Sequence, residues 1–485
     1  MEEIYFKDEA RERLFNGITK LHKAVADTMG PKGRTVIISD EYGKPYVTKD
    51  GVSVARAINF KDPVENMGAT LIKEVAERTV DQAGDGTTTA TVLAQAFIQN
   101  LKEFDTNDIN KAFDEIIPKV LQHLKDNSRE LHREDIKYVA AISANNNLQI
   151  GNIIQQAYNF SNIVKVEESN SLEDTLKHVN GMKLDVAYMS KRFVNTPKET
   201  CEYENPYVLL LDGKLEDLMP LKYILTKISD ADESLLIICE HVSEKEIRKL
   251  ESNVMSKNIN LCVIKSPGFG PIRKDYLRDL SDFTGSEIVN IMPNKPVNLT
   301  SLGKLKSCSI TKNHSILIKH DDINVDEIVE SLMYLKNEPN MQPYDIQILD
   351  KRIEQLTGKA SVIYVGGGSE IEMKERKDRY DDAVLAVACA LEEGIVEGAG
   401  VALFHAVTDI EKNTSGIERN ILYSLKMPMA VIGNNGAIVD YSTSMFDQNI
   451  IDPLKVTRCA LENAVSVAKT ILSTACVVLN PSQWS

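Results

Sequence analysis

The sequence predicts a multidomain α+β protein, in which a mostly helical domain drawn from both ends of the chain encloses an inserted α/β domain. Three observations lead there. Apolar residues at helical spacing dominate the first 126 or so residues and return from Glu370 onward. Between residues 180 and 360, short apolar runs of strand length alternate with amphipathic helices, as in an α/β unit. The stretches between these regions mix short helices with single strands, so the order is helical, mixed, α/β, mixed, helical.

Taken in order, residues 8–28 are expected as a helix, with Leu14, Ile18, Leu21, Val25 and Met29 on one face and Gly30-Pro31-Lys32-Gly33 ending it. Arg34 to Ser39 and Pro45 to Thr48 read as a hairpin around Glu41-Tyr42-Gly43-Lys44, closed by Lys49-Asp50-Gly51. A long helix from Pro63 to about Gln82 leads into Gly84-Asp85-Gly86-Thr87-Thr88-Thr89-Ala90, and the next helix runs to about Phe104. Ile163 to Glu167 is a strand. Tyr207 to Asp212, Ser234 to Cys239 and Asn260 to Lys265 are buried strands, and Ser266 to Gly270 is a turn. Leu335 to Pro343 is the most loop-like stretch, and Ala360 to Gly366 is a strand leaving the α/β unit. Ala383 to Leu391 is a buried helix broken at Glu393 to Gly400, and a terminal helix runs from Pro453 to about Val478.

Composition narrows the functional classes. The 485 residues are 43% hydrophobic, enough for more than one core, and the net charge is -15. Nucleic acid is not an expected partner, because a phosphate backbone demands a basic face. A membrane is not expected either, since no apolar run is long enough to span one. The opening Met-Glu-Glu-Ile-Tyr-Phe has neither an apolar signal core nor the Arg-rich, acid-poor character of a transit peptide. Seven scattered cysteines without metal spacing read as reduced core thiols, so the expected compartment is a cytosol, bacterial or that of a virus's host. The eight dispersed histidines support neither a histidine metal site nor a nucleophile–histidine pair.

The stretch Gly84 to Ala90 carries the clearest chemistry. Glycine lets a backbone turn tightly and approach a ligand. A helix N-terminus offers free N–H groups and the positive end of a dipole, which suit phosphate, and threonine hydroxyls can add hydrogen bonds. Asp85 would repel phosphate unless a divalent cation stood between them, as Mg²⁺ does when held by one or two carboxylates plus phosphate oxygens. The same residues can also be read as ordinary helix capping, because Asp and Thr are common there. The segment is not a Walker A loop, having no Gly-Lys-Ser/Thr at the required spacing.

An ordered set of motifs is similar to the group I chaperonins, the bacterial GroEL-type 60 kDa family. The set comprises Thr28 to Gly33, Thr48 to Arg56, Glu65 to Ala69, Gly84 to Thr89, Ile142 to Asn145, Pro267 to Gly270, Glu392 to Val396 and Asp452 to Arg458, and it spans nearly the whole chain. The resemblance implies an equatorial ATPase domain (residues 1–126 and 395–485), an intermediate hinge domain (127–179 and 361–394) and an apical domain (180–360). It implies subunits closed into a homo-oligomeric ring, usually sevenfold, single or double, that binds unfolded polypeptides and releases them through ATP binding and hydrolysis. A passive protein-binding ring is the alternative.

Residue by residue, the resemblance places Thr28, Met29, Gly30 and Pro31 along the nucleotide and Lys49 near its phosphates, although a hairpin lysine is ordinarily just solvated. Asp85 would hold Mg²⁺, Gly86, Thr87, Thr88 and Thr89 would cradle phosphate, and K⁺ would assist. Asp50 and Asp382 would orient the attacking water, with Asp382 at the start of a helix 382–392. Gly398, Ala399, Ile450 and Asp452 would surround the nucleoside. Ala399 replaces a glycine of the family, which costs little if its φ is negative and more if it is positive. Asp440-Tyr441-Ser442 is the expected counterpart of the family's loop near the base. In the apical groove, Tyr188, Phe193, Leu225 and Ile247 keep the apolar character needed to grip unfolded chains. Arg192, Lys222, Glu251 and Ser252 stand where apolar residues are expected, which leaves docking of a separate lid co-chaperonin open.

Overall fold

The helix Thr87–Leu101 is apolar on most of its circumference because other helices pack against several of its sides: Leu454–Leu472, Pro63–Ala83, Lys7–Ala26 and Ile417–Ser424. Its Phe97 meets Phe113 of the helix Thr106–Asp126 edge to face, with centroids 5.2 Å apart. The computed structural model describes residues 3–39, 45–169, 171–196, 199–291, 296–320, 323–336, 343–411, 414 and 416–479. By its internal contacts the chain divides into two compact units, Met1–Asn159 with Val166–Thr175 and Ile363–Ser485, and Phe160–Lys165 with Leu176–Val362. The α+β multidomain class expected from the sequence is the class observed.

In the first unit, local chemistry sets the element boundaries. Asp62 caps the helix Pro63–Ala83 by accepting from the Val64 and Glu65 N–H groups, with proline at the first helical position. Three residues then separate this helix from Thr87–Leu101. Gly84 and Gly86, at φ 69° and 88°, take the left-handed conformations this turn needs and leave Asp85 at its apex. The expected hairpin forms from Val36–Ser39 and Pro45–Thr48, while its turn at 41–44 lies outside the described residues. Lys49-Asp50-Gly51 does more than close it: Asp50 caps a short helix, Gly51–Ala57, that hydrophobic periodicity over seven residues could not reveal.

Two expectations for the C-terminal part are corrected. Asp382 does not begin a helix but lies in the second half of Glu370–Glu393, because Ser369 supplies the N-cap well upstream. The terminal helix stops at Leu472, and Cys476–Leu479 is a strand paired antiparallel with Glu3–Phe6. A strand partner more than 400 residues away leaves no local signal.

The second unit contains a parallel sheet in the order Asn260–Lys265, Ser234–Cys239, Tyr207–Leu211 and Ile288–Val289, with Gly303–Lys304 added antiparallel. The three strands expected to be buried are neighbours in this sheet, with Asn260–Lys265 at its edge. An antiparallel sheet joins Thr175–Leu184, Ser315–Ile318, Ser307–Ile310 and Cys201–Glu204. Of the expected loop at 335–343, Leu335 and Lys336 end the helix Asp326–Lys336, Pro343 starts the helix Pro343–Leu356, and 337–342 lie outside the described residues. Six of the seven cysteines are buried and none is in a disulfide. No helix among the described residues is long and apolar enough to cross a membrane.

Candidate functional site

A cavity of about 610 Å³ opens in the first unit at the N-terminus of Thr87–Leu101. Every residue expected along the nucleotide lines it except Gly398, whose N–H instead donates to the Ile450 carbonyl at 2.9 Å. The carboxylates Asp50, Asp85, Asp382 and Asp452 reach it from four separate segments.

Each is positioned by its own element. Asp50 accepts from Val52 N–H at 3.1 Å and Ser53 N–H at 2.8 Å, one bond to each oxygen, which orients the carboxylate and leaves further lone pairs for a ligand or water. Gly51 follows because the helix Gly51–Ala57 runs close against the threonines: a Cβ there would stand 2.3 Å from Thr88 Oγ1. Asp85 accepts from Ser143 Oγ at 2.6 Å and from the N–H of Gly86. Asp452 lies on Ile451–Pro453, opposite Val396 of the strand Ile395–Glu397.

These carboxylates crowd one another. Burial raises the Asp85 carboxyl above its ordinary range, the Ser143 and Gly86 donors oppose that rise, and the charge of Asp50 adds to it. Burial, and then the charge of Asp85, pushes Asp452 up to about 7. A site that gathers negative charge this way suits a cation. Among the described residues no three His, Cys, Asp or Glu side chains form a metal cage. That donor set fits Mg²⁺ shared between a carboxylate and the phosphates of a bound nucleotide.

Several contributors went unnoticed in the sequence. Ser143 sat inside a recognised motif without a role. Arg379, one turn before Asp382 on the same helix, lines the cavity. Its guanidinium pairs with Glu375, and its buried Nε–H has no acceptor among the described residues. Asn435 donates to the carbonyls of Ala26 and Met29, both at 2.9 Å, holding the turn that carries Thr28 to Pro31. The expected base loop is displaced: Val439, Gln448 and Asn449 line the cavity, not Asp440 to Ser442. Ala399 has φ 54°, the unfavourable case for a residue with a Cβ.

In the second unit, Tyr188, Leu225 and Ile247 are half-buried against the core. Phe193 is a correction: it is fully buried and offers no surface to a client. Arg192 and Glu251 pair at 3.2 Å, and Ser190 Oγ donates to the same carboxylate at 2.6 Å. Polar groups thus occupy part of the face expected to be apolar.

Residues 21–424 match the TCP-1/cpn60 chaperonin family, and the chain belongs to that family. The match agrees with the group I, GroEL-type resemblance of its motifs. The fold is similar to that of the chaperonin gp146 from the bacteriophage EL 2 (Pseudomonas aeruginosa), solved in two crystal forms in the presence of ATP-BeFx. The two chains share 21% identity over 98% of this chain and 99% of that one, with TM-scores of 0.67 and 0.63.

Proposed function

We propose that this chain is the subunit of an ATP-driven chaperonin that binds unfolded polypeptides and releases them as ATP is hydrolysed. One observation carries the reading: Asp50, Asp85, Asp382 and Asp452 converge, from distant segments, on a single cavity at the N-terminus of Thr87–Leu101. The free N–H groups of that helix and the hydroxyls of Thr87 to Thr89 bind the phosphates. Magnesium, when bound with the nucleotide, supplies the positive charge that lets Asp85 share a site with phosphate, and potassium assists. Asp50, held by its two backbone donors, and Asp382 orient a water whose oxygen bonds to the γ-phosphorus as the bridging oxygen departs with ADP. The water's proton passes to a carboxylate or to solvent. Such hydrolysis depends on positioning and charge stabilisation more than on a strong base. Arg379, on the cavity wall, brings its guanidinium charge to the phosphate oxygens.

The domain division is proposed as 1–126 and 395–485 equatorial, 127–179 and 361–394 intermediate, and 180–360 apical, with subunits closing a ring. In this reading Asp382 belongs to the intermediate segment, so its approach to the γ-phosphate couples chemistry to domain movement. The test is Asp382→Ala, which should bind ATP with near-normal affinity but release phosphate at least about a hundredfold more slowly. Unchanged phosphate release would remove the assignment.

The Arg192–Glu251 pair supports a second reading, a ring that holds proteins without a productive cycle. Refolding of a denatured enzyme, with and without ATP and with and without a lid protein, separates the two.

A further inference from the structure

Glu397 ends the strand Ile395–Glu397, just before Ala399 and the helix Val401–Ile410. Its Oε1 accepts from Ser444 Oγ at 2.7 Å and from Met445 N–H at 2.9 Å, and its Oε2 lies 2.9 Å from His405 Nδ1. Burial works against the charge here, yet the Ser444 and Met445 donors and then His405 hold the carboxyl below its usual range. Ser444 and Met445 belong to residues 436–449, a segment without helix or strand.

This segment is nonetheless tightly stitched. Gln448 Nε2 donates to the Asp440 carbonyl at 2.6 Å and to Thr443 Oγ1 at 3.0 Å, and the Met445 side chain is buried. Two side-chain anchors tie the segment's centre to the rest of the unit. One is Glu397. The other is Arg129, whose guanidinium carbon lies 3.9 Å from the Phe446 ring centroid and whose backbone pairs with Ile395 at 2.8 and 2.7 Å. Two flanks of the segment, Val439 and Gln448 with Asn449, form part of the 610 Å³ cavity wall. Glu397 stands where that cavity and a second one, of about 550 Å³, share a wall.

We infer that Glu397 is a positioning residue that clamps segment 436–449 and thereby sets the affinity of the cavity for nucleotide. The inference rests on the nucleotide reading of the cavity. An irregular loop released from its anchors samples many conformations, and a ligand must then order it on binding. The second cavity gives the loop room to fall back. The carboxylate itself is engaged with Ser444, Met445 and His405, so its effect on nucleotide passes through the loop.

The test compares the full-length protein with its Glu397→Ala, Glu397→Gln and Ser444→Ala variants. ATP affinity is measured by titration calorimetry, turnover by phosphate release, and loop order by hydrogen exchange. Glu397→Ala should raise both Kd and KM for ATP about tenfold while kcat falls less than about threefold, as expected when a charge-assisted hydrogen-bond set is lost from a wall and not from the reacting centre. Amides of 436–449 should exchange faster without nucleotide, while those of Thr87–Leu101 do not change. Glu397→Gln keeps an acceptor for Ser444 and should restore part of the affinity. Ser444→Ala should weaken ATP binding in the same direction and serves if Glu397→Ala does not fold. An unchanged KM, or a loss confined to kcat, overturns the inference. If the unaltered protein binds no ATP, the nucleotide reading falls and takes the inference with it. If it binds ATP and the variants match it, the inference alone falls.

Discussion

Ser143, the last residue of the helix Ile136–Ser143, donates a 2.6 Å hydrogen bond to Asp85, which lies in the turn before Thr87–Leu101. Residues 58 positions apart in the chain thus form one unit, and the hydroxyl both aims the carboxylate and favours its charged form. Ser143→Ala should therefore weaken binding of ATP with magnesium by about tenfold or more, in line with loss of a hydrogen bond to a charged group. Titration in magnesium buffer checks this, and equal affinity would mean that Ser143 only packs.

Arg379 lines the cavity, and its Nε–H, shut off from solvent, has no acceptor among the described residues. If its guanidinium meets a phosphate oxygen, Arg379→Ala should lower kcat by roughly a hundredfold, as removal of one preorganised donor does elsewhere. Arg379→Lys should recover little, because an ammonium cannot reproduce the planar fork. Single-turnover phosphate release reads both variants.

Ala399 sits at φ 54° in the turn that precedes Val401–Ile410. The left-handed conformation costs an L-residue about 1–2 kcal/mol. Ala399→Gly should stabilise the first unit by about 1 kcal/mol, after allowing for the greater freedom glycine gives the unfolded chain. A higher denaturation midpoint is expected, and a lower one would mean that the Ala399 methyl packs better than its backbone suffers.

Phe193 is among the largest fully buried side chains, in the core of the second unit. Phe193→Ala should destabilise that unit by about 3–5 kcal/mol through the cavity it leaves. A variant that loses client binding while melting normally would restore Phe193 to the surface role first expected of it. Replacing Arg192 and Glu251 together with leucine should instead strengthen capture of a denatured protein at little change in melting.

Two half-buried histidines link stability to pH. Burial lowers His22 to about 4, with Asp27 opposing, and lowers His314 to about 4 through burial and Lys183, with Asp185 opposing. The unfolded histidines titrate near 6.5. Below that pH the unfolded chain takes up protons that the folded chain refuses until about pH 4, so stability is full above 6.5 and lost as pH falls through that window. Each should contribute a loss of about 2 kcal/mol between pH 7 and pH 5. Denaturant melts at the two pH values measure it, and His22→Gln with His314→Gln should flatten the slope.

Much of this was legible without coordinates. Helices such as Lys7–Ala26 and Pro63–Ala83 declare themselves because their apolar repeat lies within the segment itself, and Asp62 and Pro63 mark the start of the second. Three strands of the parallel sheet, Tyr207–Leu211, Ser234–Cys239 and Asn260–Lys265, are apolar runs, and Gly84-Asp85-Gly86 announces a tight turn before a helix. The helix capped by Asp50 was missed because seven residues are too few for periodicity to speak.

The amino-acid order alone determined the helical ends, the inserted α/β region, the chaperonin motifs and the residue types of the phosphate turn, since each is written in neighbours along the chain. Only the tertiary structure decided that Ser143 serves Asp85, that Glu397 holds Ser444 and Met445, that Phe193 is core, and that Cys476–Leu479 pairs with Glu3–Phe6. Each depends on which distant segments pack together, and long-range packing has no signature within a short window of sequence.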